Sequence, residues 1–81
     1  MEKENEILFF IKNYYKKSKT IKHDIFALTF LIDFNLDIKI SKKELKNILV
    51  KAGYDVEEGY VFIDFISPNA CFIVNGLGYL I

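Results

Sequence analysis

Arginine is absent from this chain. All eleven basic residues are lysine, so no planar guanidinium fork exists for bidentate recognition of guanine, phosphate or carboxylate. Cysteine occurs once, at Cys71, which excludes an internal disulfide framework and suits a reducing compartment, the cytoplasm. Histidine also occurs once, as His23 beside Asp24, with no second His and no Cys near it in sequence. A single His-Asp pair reads as a surface pair on a helix rather than a base and its orienter. Cys71 lies between Ala70 and Phe72 and reads as a core thiol rather than a nucleophile. With no nucleophile–base set in view, the chain is expected not to be an enzyme. No residue run is long and apolar enough to span a bilayer. The uncharged stretch 65–81 is broken by Ser67, Pro68, Asn69, Asn75, Gly76 and Gly78, and residues 2–6 are too polar for a secretory signal.

What is present is a dense supply of apolar residues. Of 81 residues, 52% are hydrophobic, with eight Phe and five Tyr. That length supports one domain, residues 1–81, and that composition supplies the core a small domain needs. Net charge is zero but segregated. Residues 12–51 carry ten Lys against four acids, a net of +6, whereas residues 52–81 carry four acids and no Lys.

Helical spacing of Ile7, Phe10, Ile11 and Tyr14 predicts an amphipathic helix over 4–18. Residues 22–32 are apolar nearly all round, which predicts a buried helix. From Ile32 to Ile40 apolar and polar residues alternate, which is also the pattern of a half-buried strand. Ser41 and Glu44 form an S-x-x-E capping box ahead of the Leu45, Ile48, Leu49, Ala52 stripe, so a helix over 42–52 ends at Gly53. Tyr54–Val56 and Tyr60–Ile66 are expected to form a hairpin around Glu57-Glu58-Gly59. Ser67-Pro68 starts a last short helix that stops near Gly76, and a final apolar strand or turn follows at Tyr79–Ile81. The expected fold is mainly α with a small β-hairpin, a compact single domain of about four helices.

One segment has the spacing of a cation site. Asp33, Asn35 and Asp37 stand at alternate positions, Lys39 and Ser41 follow, and Glu44 lies seven residues after Asp37. This resembles an EF-hand loop, in which side-chain oxygens stand at the first, third and fifth places, a backbone carbonyl at the seventh and a bidentate Glu at the twelfth. The resemblance covers residues 22–53 and is similar to a calmodulin-like lobe. Residues 56–81 form a degenerate second half whose loop, Ser67–Gly78, has no carboxylate. It implies Asp33, Asn35, Asp37, Lys39 and Glu44 as metal positions. Ile38 stands where the sharp turn needs Gly, and Leu36 where a polar residue is usual, so the implied calcium binding is weak or lost. What remains is a module that binds a partner helix or protein surface.

A second resemblance competes with the first. Three helices followed by a hairpin resemble a winged-helix domain, with 42–52 as recognition helix and Tyr54–Ile66 as wing. It implies a small regulator or inhibitor acting on nucleic acid or a nucleic-acid enzyme, as in bacteria and phages, with Lys39, Lys42, Lys43, Lys46 and Lys51 as the phosphate footprint. The wing carries Asp55, Glu57, Glu58 and Asp64, which repel phosphate. The bland alternative is that these lysines are a solvated helix face. The partner surface, whether for another protein or a homodimer, is expected at Phe62, Phe65, Phe72, Tyr79, Leu80 and Ile81.

Overall fold

The computed structural model describes residues 2–76. The chain starts with helix α1, Glu2–Tyr14, whose Glu2 and Glu4 sit in the first turn and Lys12 in the last, as the helix dipole favours. Ile7, Phe10 and Ile11 form its buried stripe. Where a longer helix is predicted, the chain instead passes straight into strand β1, Tyr15–Lys17. β1 pairs antiparallel with a strand far along the chain, β5 (Ile63–Phe65), placing Tyr15 opposite Phe65 and Lys16 opposite Asp64. Burial of Tyr15 and its stacking on Phe65 across the strand pair favour this exit from the helix.

Ser18 turns the chain by accepting hydrogen bonds from the Thr20 and Ile21 N–H groups. Strand β2, His23–Asp24, leads into helix α2, Ile25–Leu36. Asp24 caps α2 by accepting from the Phe26 N–H at 2.8 Å. α2 is longer than the predicted 22–32 helix and consumes the first half of the predicted alternating strand. The reason is visible in its buried set: Ile25, Leu28, Thr29 and Ile32 keep helical spacing, and Leu36 continues it. The helix stops at Asp37, which adopts the left-handed conformation (φ 55°, ψ 39°) that Asp tolerates. Alternation survives only in the short link to the next helix, where Ile38 and Ile40 are half-buried and Lys39 is exposed.

Helix α3, Lys42–Lys51, is the expected one. The Ser41 hydroxyl accepts from the Glu44 N–H at 3.1 Å, and Leu45, Ile48 and Leu49 point inward. Its end is a Schellman motif: Gly53 N–H donates to the Val50 carbonyl and Tyr54 N–H to the Leu49 carbonyl, with Gly53 at φ 91°. The hairpin is smaller than predicted, β3 (Val56–Glu57) and β4 (Tyr60–Val61) around Glu58-Gly59. Beyond Phe62 the chain changes sheets, because Ile63–Phe65 is β5 and pairs with β1 rather than extending the hairpin. The three-stranded sheet therefore runs β2-β4-β3, and the two-stranded sheet β1-β5. Helix α4, Pro68–Val74, closes the described chain, capped by Ser67 and started by Pro68 as predicted, with Gly76 at φ 77° after its end.

Among the described residues, four helices and two small antiparallel sheets thus enclose one core. Ile7, Ile11, Ile25, Leu28, Ile32, Leu45, Leu49, Val61, Ile63 and Val74 are fully buried in it. No helix among the described residues is long and apolar enough to cross a membrane.

Candidate interaction surfaces

Residues 33–44 are divided among three pieces of structure. Asp33 and Asn35 lie in the last turn of α2, Asp37 caps it, Lys39 is in the link and Glu44 is in the first turn of α3. Three of the side chains expected around a cation make other contacts. Asp33 pairs with Lys39 Nζ at 3.1 Å. The Asn35 amide donates to the Leu31 and Val74 carbonyls, each at 2.8 Å, and so ties α2 to α4. Glu44 faces Lys3 of α1 at 3.5 Å. Positive φ falls on Asp37, not on Ile38, so the turn is one residue out of place for a cation loop. Among the described residues no three His, Cys, Asp or Glu side chains are grouped to hold a metal ion. In this arrangement the residues do not fit a calcium site.

The lysine set is likewise divided. Lys42, Lys43 and Lys46 project from the exposed side of α3. Lys39 is engaged by Asp33, and Lys51 by Glu4 at 3.8 Å. Lys42 reaches over the hairpin tip, where its Nζ lies 2.8 Å from the position a methyl group at Gly59 would take. Glu57 and Glu58 flank that tip, so the basic face of α3 abuts acidic charge.

An aromatic cluster fills the space between β1, β2 and β5. Tyr15 stacks on Phe65 at 4.6 Å between ring centres, and His23 meets both edge-on. The Tyr15 hydroxyl and His23 Nε2 are buried without a hydrogen-bond partner among the described residues. Burial pushes the Tyr15 hydroxyl well above its ordinary pKa, with Cys71 adding to the effect. Burial lowers His23, and the nearby Asp64 carboxylate opposes this. The expected surface pair of His23 with Asp24 does not form, since Asp24 is occupied as the α2 cap and His23 is turned into the cluster. Cys71 is half-buried at the edge of a shallow groove with Lys16, Asp64 and Ser67, rather than in the core.

The described part of the expected partner surface is divided between half-buried and exposed positions. Phe65 packs on Tyr15, and Phe62 is half-buried where the chain changes sheets. Phe72 is exposed on α4 with Ile73 beside it. Tyr79, Leu80 and Ile81 lie outside the described residues.

The apolar surface that sequence reasoning missed belongs to α2. Phe26, Phe30 and Phe34 are 54%, 60% and 66% exposed. Their spacing of four residues places them in one row along the helix. Phe26 and Phe30 meet edge-to-face at 4.9 Å. The other exposed position of α2 is Ala27, so its outward face carries no polar group. Asp33, the helix's one charge, is half-buried and paired with Lys39. At the far end of the row, the Phe34 ring packs so closely on Gly76 that a methyl group there would stand 2.7 Å away. A signal was available in the sequence: the three Phe lie opposite the Ile25, Leu28, Ile32 stripe on a helical projection.

Comparison of the chain with protein-family models, curated proteins and solved structures finds no match to any of the three.

Proposed function

We propose that the protein is a non-catalytic binding module that docks on a protein surface through the outward face of α2. The observation that carries this reading is the uncharged row Phe26, Phe30, Phe34. Three half-exposed or more exposed rings on one helix leave on the order of 350 Å² of apolar surface, within the range of functional patches on small monomers. A helix that is apolar on every side is normally covered on every side. The partner-binding expectation is kept here. The cation is not, because Asp33, Asn35 and Glu44 are each committed to other contacts.

A photo-crosslinking amino acid placed at position 30, with position 43 as control, tests the reading in cells that make the protein. Adducts with protein from position 30 and not from position 43 are expected. Nucleic-acid adducts from position 43, with none from position 30, would overturn it.

A second reading is favoured by one specific feature. Three helices precede a hairpin, and the strand before α2 pairs with the hairpin's second strand in the order β2-β4-β3. That order supports a winged-helix-like regulator, with Lys42, Lys43 and Lys46 facing a nucleic acid. The acidic hairpin tip and the absence of Arg weigh against it. Fluorescence anisotropy of a labelled duplex across a salt series decides the point. Submicromolar binding that weakens steeply with salt would put this reading first.

A further inference from the structure

We infer that the α2 face pairs with the α2 face of a second copy, antiparallel, about a two-fold axis passing near Phe30; this rests on the reading of α2 as a docking face. The row Phe26, Phe30, Phe34 is a ridge of residues four apart. Helices pack most often by setting such ridges into each other's grooves, so the face is its own complement. The row also reads the same in both directions about its centre. A two-fold axis near Phe30 sets Phe26 of one copy beside Phe34 of the other at both ends, which is the isologous contact that closes a dimer.

Charge selects the direction. Lys22 and the N-cap Asp24 stand at the start of α2, and Asp37 and the Asp33–Lys39 pair at its end, so the end carries one more negative charge than the start. Lys22 is exposed, with its ammonium over the Tyr60 ring at 4.7 Å. Asp37 is exposed and has no ion-pair partner among the described residues. Antiparallel pairing sets the charge-balanced start of each helix against the acidic end of the other, rather than the two acidic ends together, and it opposes the two helix dipoles favourably. Parallel pairing would set Lys22 on Lys22 and Asp37 on Asp37. Between those ends the face has no donor, acceptor or charge with which to fix the register of a polar or charged partner.

Area sets the strength. Two faces of about 350 Å² fall short of the ~1,200 Å² buried by the smaller stable interfaces. The pair is therefore weak and forms only at high protein concentration.

The test uses the full chain with Cys71→Ser as background, since Cys71 is the natural thiol. Phe30→Cys, Phe26→Cys and Phe34→Cys are each oxidised alone, and Phe26→Cys is also mixed with Phe34→Cys. All three positions are exposed and outside the core; Phe34→Cys loses its packing on Gly76, and Phe26→Cys and Phe30→Cys each lose the edge-to-face contact between them. Antiparallel pairing predicts rapid self-crosslinking of Phe30→Cys, and crosslinking of the mixture well above either end variant alone. Self-crosslinking of Phe26→Cys and of Phe34→Cys, without enhancement in the mixture, overturns the antiparallel axis. Sedimentation of the unmodified chain up to several hundred micromolar completes it: a monomer throughout overturns self-pairing. A chain truncated after Gly76 that dimerises where the full chain does not would make residues 77–81 the occupant and also overturn it. Loss of self-pairing with protein adducts still formed from position 30 leaves the docking face standing with a foreign partner. Loss of both removes the docking face itself.

Discussion

At the scale of single residues, four positions among the described residues have positive φ, and two of them are not glycine. Asp37 and Glu58 both have φ near 55°. Asp37 ends α2 and suits the conformation through its short polar side chain. Glu58 has no such advantage, and it stands beside Gly59, which does not take the positive φ. Replacing Glu58 by Gly is expected to raise stability by roughly 0.5–1 kcal/mol, the steric relief less the added chain entropy. Urea unfolding measures it; a lower midpoint in the variant would show that the Glu58 side chain contributes more than its backbone costs. His23 offers a second test. Burial holds its folded pKa below the unfolded value of 6.5, so the unfolded chain takes up the proton first as pH falls. Stability is therefore fully present above about 6.5 and declines as pH falls toward the folded pKa. His23→Phe should preserve the stack with Tyr15 and Phe65 and flatten this part of the pH profile. Identical slopes for wild type and variant would show that His23 is not the titrating group.

At the scale of elements, legibility followed the strength of local chemistry. α3 and α4 were readable because each is bounded by residues that fix an end: Ser41 and Gly53, Ser67 and Gly76. Ser41→Ala is expected to cost about 1 kcal/mol in urea unfolding, as loss of a helix N-cap does. An unchanged midpoint would assign the start of α3 to packing alone. β1 and β2 were not readable. Strands of two or three residues carry no period, and each exists because a partner more than thirty residues away completes it. α2 is legible as a helix, but an apolar pattern nearly all round does not fix how many of its sides the domain covers. A domain this small has elements enough to cover one side of it. Segment 33–44 failed for a related reason. Alternate acidic and apolar positions fit a cation loop, a strand and a helix end in turn, and the spacing of Ile25, Leu28, Ile32 and Leu36 decided for the helix. Millimolar calcium is accordingly expected to leave the urea midpoint unchanged. A calcium-dependent rise would mean that the last turn of α2 unwinds to form the loop.

At the scale of the whole molecule, charge and apolar surface are separated. Lysines line α3 beside an acidic hairpin tip, and α2 presents uncharged aromatic surface. Zero net charge gives little long-range attraction for a phosphate backbone, whereas the Phe row offers apolar area that a protein surface can cover. The proposed contact surface is the outward face of α2, with a second copy covering it. Amide chemical shifts of the labelled chain, followed by NMR on dilution from several hundred to a few micromolar, test this most directly. Concentration-dependent shifts are expected at Phe26, Phe30, Phe34 and their neighbours in α2, with α3 unchanged. Shifts confined to residues 42–51, or spectra that do not change at all on dilution, would contradict it.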